Sequence, residues 1–163
     1  MKSRIWPIGT FVIIALIGYG ARQAIGKVYG AAEAQSLLEA LSRAGLYLGS
    51  AIATSSATTL ALMLTLIGMI RRMDEDFDGE AYRNVDLVAR LATATLLVSL
   101  IVLLAFVLPI GEFKQLPPGW YETLYETLFA GCVLMVAMSG ATVVTIYETL
   151  RRVISKITPG DEV

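Results

Sequence analysis

The chain has 163 residues, enough for one domain, and a formal net charge of −1. Hydrophobic residues make up 56% of it and charged residues 17%, whereas soluble domains have about 45–50% and about 25%. The near-neutral charge excludes a broad basic surface for nucleic acid. Histidine is absent and Cys132 is the one cysteine, which excludes histidine ligation, a cysteine metal site and an intramolecular disulfide. We therefore expect a membrane domain over residues 1–163 with no cofactor.

Four long apolar runs predict four transmembrane helices. A helix needs about 20 apolar residues to cross a hydrocarbon core about 30 Å thick. Runs near residues 5–22, 46–70, 90–110 and 124–149 reach or approach that length. The predicted fold is an all-α integral membrane four-helix bundle. The first run also has the basic start and apolar middle of a signal peptide, but Trp6 and Tyr19 at its ends favour a retained span.

The first outer loop, residues 22–45, contains a helical pattern. Ala34, Leu37, Leu38 and Leu41 fall on one stripe, and Glu39 lies four residues before Arg43 on another face. We expect a short amphipathic helix that lies on the membrane surface or packs over the bundle, with partner binding as an alternative.

The second span carries a stripe of small and hydroxyl-bearing residues at helical spacing. It consists of Ser50, Thr54, Thr58, Ala61, Thr65 and Gly68. Small residues let helix backbones approach, and hydroxyls form hydrogen bonds between helices. The stripe therefore predicts a packing seam within the bundle or between protomers. The alternative is a pore lining, which requires several copies around an axis.

The loop at residues 71–89 contains the acidic sequence Asp74, Asp76, Asp78 and Gly79. This spacing matches the first half of a calcium-binding loop, but Val85 occupies position 12, where a bidentate glutamate is required. We expect a turn in which Asp78 caps the next helix, and we keep calcium binding as the alternative.

The third span is rich in leucine and valine and has no small face after Thr95, so we expect it to face lipid. The fourth span follows Pro118 and begins with Glu122 and Glu126, one helical turn apart at the outer mouth. These carboxylates are either a solvated helix start or a cation-attracting ring in an oligomer. Ala137 and Ala141 further along form a small-x-x-x-small pair that suits a partner helix.

Lysine and arginine set the expected orientation. Nine lie at the termini and between spans two and three, and four lie in the other two loops. The positive-inside rule then places both termini in the cytoplasm. Compactness and the lack of glycosylation sequons favour a bacterial inner membrane.

The four uncharged cores contain no Asp, Glu, Lys or Arg. Such residues usually mark proton relays and catalytic sites at membrane depth, so we expect neither an enzyme nor a proton-coupled transporter. The favoured function is a non-catalytic membrane component that assembles with itself or with another membrane protein. The alternative is a small homo-oligomeric channel lined by the hydroxyls of span two.

Overall fold

A computed structural model describes residues 5–25, 31–70, 79–107 and 118–157, and all of them are helical. Helix α1 spans Ile5–Ile25, α2 spans Ala31–Ile70, α3 spans Gly79–Val107 and α4 spans Pro118–Ile157. Each helix contains a segment long and apolar enough to cross a membrane: Ile5–Ala24, Ser36–Gly68, Arg83–Val107 and Trp120–Arg151. The prediction of an all-helical chain with four such helices is confirmed. The acidic residues Asp74, Asp76 and Asp78 lie outside the described residues.

The separate amphipathic helix predicted in the first outer loop does not form. Residues 31–45 are instead the beginning of α2, which continues without interruption for 40 residues. Leu38 is buried, and Leu37 and Leu41 pack against the core. Gly45, at the change from polar to apolar sequence, does not break the helix, because a single glycine costs only about 1 kcal/mol. The apolar stripe of this segment therefore extends the bundle.

Helix α4 is the element on which the others converge. Helices α2, α3 and α4 pack against one another, and α1 packs principally against α4. Gly18 of α1 lies against Val133 of α4, and Gly140 of α4 lies against Ile14 of α1, so the two helices run antiparallel. The core comprises three packed helices with α1 added on the outside of α4.

Helix α3 contributes a regular buried face to this core. Its buried positions follow steps of three and four residues: Val85, Val88, Ala92, Thr95, Ser99, Val102 and Phe106. This is the spacing of a coiled-coil seam. The expectation that α3 faces lipid therefore needs correction, since only its other face is exposed, at Leu97, Leu100, Ile101 and Leu104. The hydroxyls of Thr95 and Ser99 enter the apolar core because each donates to a carbonyl of its own helix, at 2.8 Å.

Candidate assembly interface

The predicted hydroxyl stripe lies on the outside of the molecule. Its members are all exposed: Ser50, Thr54, Thr58, Ala61, Thr65 and Gly68. Ala51 and Ser55, on the neighbouring stripe, are exposed as well, and Thr59 is half-buried. We call the set Ser50, Ala51, Thr54, Ser55, Thr58, Ala61, Thr65 and Gly68 the outer face of α2. Between the four described helices it is not a packing seam, so it is available to lipid or to another protein.

The threonine hydroxyl protons of this face are already used within α2. Thr54 Oγ1 donates to the carbonyl oxygen of Ser50 at 2.9 Å, and Thr58 Oγ1 donates to that of Thr54 at 2.9 Å. Thr65 Oγ1 donates to the carbonyl oxygen of Ala61 at 3.0 Å. A hydroxyl bonded to the i−4 carbonyl leaves no unpaired donor, so the face tolerates an apolar surrounding. Each oxygen can still accept a hydrogen bond from a neighbouring helix.

The packing face of α2 is on the opposite side of the helix. Its buried positions include Gly45, Gly49, Ile52 and Ser56. Gly45 contacts the ring of Phe106, and Gly49 lies where α2 meets α3 and α4. Thr54 follows Ile52 by two residues, which rotates it by about 200° around the helix. Sequence reasoning missed this face, although Gly45-x-x-x-Gly49 is the small-residue motif that marks close helix packing.

The small residues of α4 are used inside the chain. Ala137 and Ala141 are buried, as is Thr145 one turn further along, whereas Ala130 is exposed. Because the outer face of α2 is exposed, it does not meet the face of α4 that carries Ala137 and Ala141 within one chain. The α4 stripe is therefore part of the internal packing and leaves the outer face of α2 as the free surface rich in small residues.

The two carboxylates predicted at the outer mouth differ in their surroundings. Glu126 accepts a hydrogen bond from the guanidinium of Arg22 and forms an ion pair that joins α4 to α1. Glu122 is exposed one turn before it. The charge of Glu126 is therefore balanced within its own chain, which reduces its ability to attract a cation. The chain offers no alternative metal centre in its described ranges, where no three Cys, Asp or Glu side chains lie together.

The described structure therefore offers one surface whose composition departs from that of an ordinary lipid-facing helix, the outer face of α2. Comparison with protein-family models, with curated proteins and with solved structures finds no match to this chain.

Proposed function

We propose that the protein is a non-catalytic, multi-pass membrane protein that assembles with a second copy or with another membrane protein through the outer face of α2. The observation that carries the proposal is the exposure of Ser50, Thr54, Thr58 and Thr65 on the side of α2 that none of the described helices covers. The proposed location is a bacterial inner membrane, with both termini in the cytoplasm.

The contrast with α3 supports this assignment. The exposed face of α3 carries Leu97, Leu100, Ile101 and Leu104, which are bulky and suit contact with lipid chains. The outer face of α2 carries small side chains that allow another helix to approach closely. Helices in lipid associate through such close contacts and through interhelical hydrogen bonds, which contribute roughly 0.6–2 kcal/mol each. A face of this composition gains more from a helix partner than from lipid.

The composition of the same face supports the proposal of non-catalytic action. The face contains hydroxyls with no base, acid or metal ligand beside them in the described helices, and a serine or threonine without a partner base is a poor nucleophile. Assembly then requires only shape and hydrogen bonding, which the face supplies.

The second candidate function is a channel formed by several copies. If the outer faces of α2 surround a common axis, their hydroxyl and carbonyl oxygens line it without fixed charge and give a weakly selective path. The exposure of the stripe favours this candidate as well, because a pore lining must face the shared axis.

Cysteine cross-linking in native membranes tests the assembly. In a Cys132→Ala background, Thr54→Cys is expected to form a disulfide-linked dimer on mild oxidation. Leu97→Cys is the matched control, because antiparallel packing of α2 on α3 places it near the same depth on an exposed face. Cross-linking at Thr54 no greater than at Leu97 would refute self-assembly through this face, and co-purification would then test a different partner.

Ion flux into liposomes separates the two candidates. Flux that falls in a Thr54→Val, Thr58→Val double variant supports the channel. Absence of flux, together with cross-linking at Thr54, supports assembly without conduction.

A further inference from the structure

Helix α1 has the fewest means of attachment in the bundle. Residues 5–24 are exposed or half-buried, including bulky side chains such as Ile8, Ile13 and Ile17. The helix packs principally against α4. In a bilayer, lipid chains solvate its apolar side chains as well as protein does, so the hydrophobic effect does not hold α1 in place. Its attachment depends on close packing and on polar contacts.

Those contacts are unevenly distributed along the helix. In the inner half of α1, Ile14 and Thr10 lie against Gly140 of α4. Nearer the outer end of α1, Gly18 lies against Val133 of α4. One turn further, Arg22 forms the ion pair with Glu126. Hydrogen bonds of α1 in its other described residues, such as Thr10 to Trp6 and Gln23 to Tyr19, stay within α1. Among the described residues, the polar contact between α1 and α4 therefore lies at their outer end.

We propose that α1 is a detachable helix whose outer end is held against α4 by the Arg22–Glu126 ion pair, which acts as a latch. When the pair breaks, the outer end of α1 moves away from α4 while the contacts at Gly140 keep its inner end in place. Opening uncovers the surface of α4 around Val133. This movement involves α1 and α4, so it does not depend on whether the protein assembles through the outer face of α2.

The exposure of the pair makes the latch responsive. The side chains of Arg22 and Glu126 are 46% and 43% exposed, and Arg22 lies near the end of the apolar segment of α1. We therefore expect dissolved ions to reach the pair from the membrane surface and to screen its attraction. Among the described residues, the charged and polar groups that act on Arg22 besides Glu126 are Glu122 of α4, which also attracts Arg22, and Tyr19 of α1. Salt and charge substitutions therefore shift the balance between closed and open positions without altering the apolar contacts.

Distance measurement between paired spin labels in lipid nanodiscs tests the proposal. Labels at Ala24→Cys and Ala130→Cys, in a Cys132→Ala background, report the outer end, since both positions are exposed. Labels at Ile8→Cys and Leu150→Cys report the inner end in the same way. With the pair intact, the outer labels are expected to give one dominant distance.

Removal of either charge is expected to open the outer end. Arg22→Gln or Glu126→Gln should raise the ratio of longer to shorter outer distances by up to roughly five-fold, the upper end of the scale of an exposed ion pair. The inner distances should stay unchanged, and the charge-swapped Arg22→Glu, Glu126→Arg double variant should restore the closed distance. Arg43→Gln is the matched control, because it breaks the exposed Glu39–Arg43 pair within α2 and should leave α1 closed.

The unsubstituted pair gives a second test that does not depend on how the variants fold. Raising the salt concentration should increase the longer outer distances in the labelled protein that retains Arg22 and Glu126. The latch is overturned if salt and both single substitutions leave the outer distances unchanged, or if the charge swap behaves like the single substitutions.

Discussion

Gly49 provides the sharpest test of how the helices pack. It lies on the buried face of α2, where a Cβ atom would come within 2.9 Å of Leu103 Cδ2 and 3.0 Å of its Cγ. Ordinary carbon–carbon contacts are about 3.5–4.0 Å, so Gly49→Ala forces α2 and α3 apart or drives Leu103 out of its rotamer. Gly68, on the outer face of the same helix, has open space at the equivalent position.

Comparing the two substitutions therefore separates the effect of packing on the free energy of unfolding from the effect of helix propensity. Alanine is favoured over glycine in a helix by roughly 1 kcal/mol, and this gain applies at both positions. Overpacking costs about 1–3 kcal/mol and applies at Gly49 alone. We expect Gly68→Ala to be neutral or stabilising, and Gly49→Ala to have a free energy of unfolding about 1–3 kcal/mol below that of Gly68→Ala.

Reversible unfolding in mixed micelles, followed by circular dichroism, measures these differences. A double-mutant cycle with Leu103→Ala identifies the contact. In that background Gly49→Ala should lose most of its penalty, since the atoms that the new Cβ meets are gone, which gives a coupling of about 0.5–3 kcal/mol. If Gly49→Ala is as stable as Gly68→Ala, or if the coupling is absent, the packing face of α2 described above is wrong.

Three further predictions concern the core. Met135→Ala should destabilise the protein by about 2–5 kcal/mol, because the side chain is fully buried; Leu134→Ala, at an exposed position, should change the free energy of unfolding by about 0.5 kcal/mol in the same assay. Thr95→Val should cost under about 1 kcal/mol, since its hydroxyl donates to Leu91 of the same helix; a larger loss would reveal a hydroxyl bond between helices. Cys132 is buried, so a maleimide should label it roughly ten-fold or more slowly in mild detergent than after unfolding in dodecyl sulfate, and equal rates would contradict its burial.

The number of helices long and apolar enough to span a membrane was predictable from sequence, because it depends on the length of apolar runs. The buried side of each helix was harder to predict. Helix α2 has two faces with the same three- and four-residue spacing, one through Gly45, Gly49 and Ile52 and one through Thr54 and Thr58. In a soluble helix the apolar face would be the buried one. In lipid both surroundings are apolar, so periodicity does not distinguish the two faces.

Similar reasons explain the other differences between the sequence-based predictions and the structure. The leucine- and valine-rich sequence of α3 suggested a helix in lipid, yet Val88 and Val102 are buried on one side and Leu104 is exposed on the other. These positions do not differ appreciably in hydrophobicity. They differ in whether another helix packs against them. The Arg22–Glu126 pair joins residues 104 apart in sequence, and no local spacing indicates which of the carboxylates at the start of α4 an arginine at the end of α1 will reach.

The unequal lengths of the helices have a consequence for the choice of membrane. The apolar segment of α1 has 20 residues and that of α2 has 33, which correspond to about 30 Å and about 50 Å of helix. A long helix fits bilayers of different thickness by tilting, whereas a short one thins the bilayer or exposes its ends. In a thicker bilayer, mismatch acts first on α1 and draws Arg22 and Glu126 toward the hydrocarbon. If α1 is held by the proposed latch, bilayer thickness becomes a variable to which the position of α1 on α4 responds.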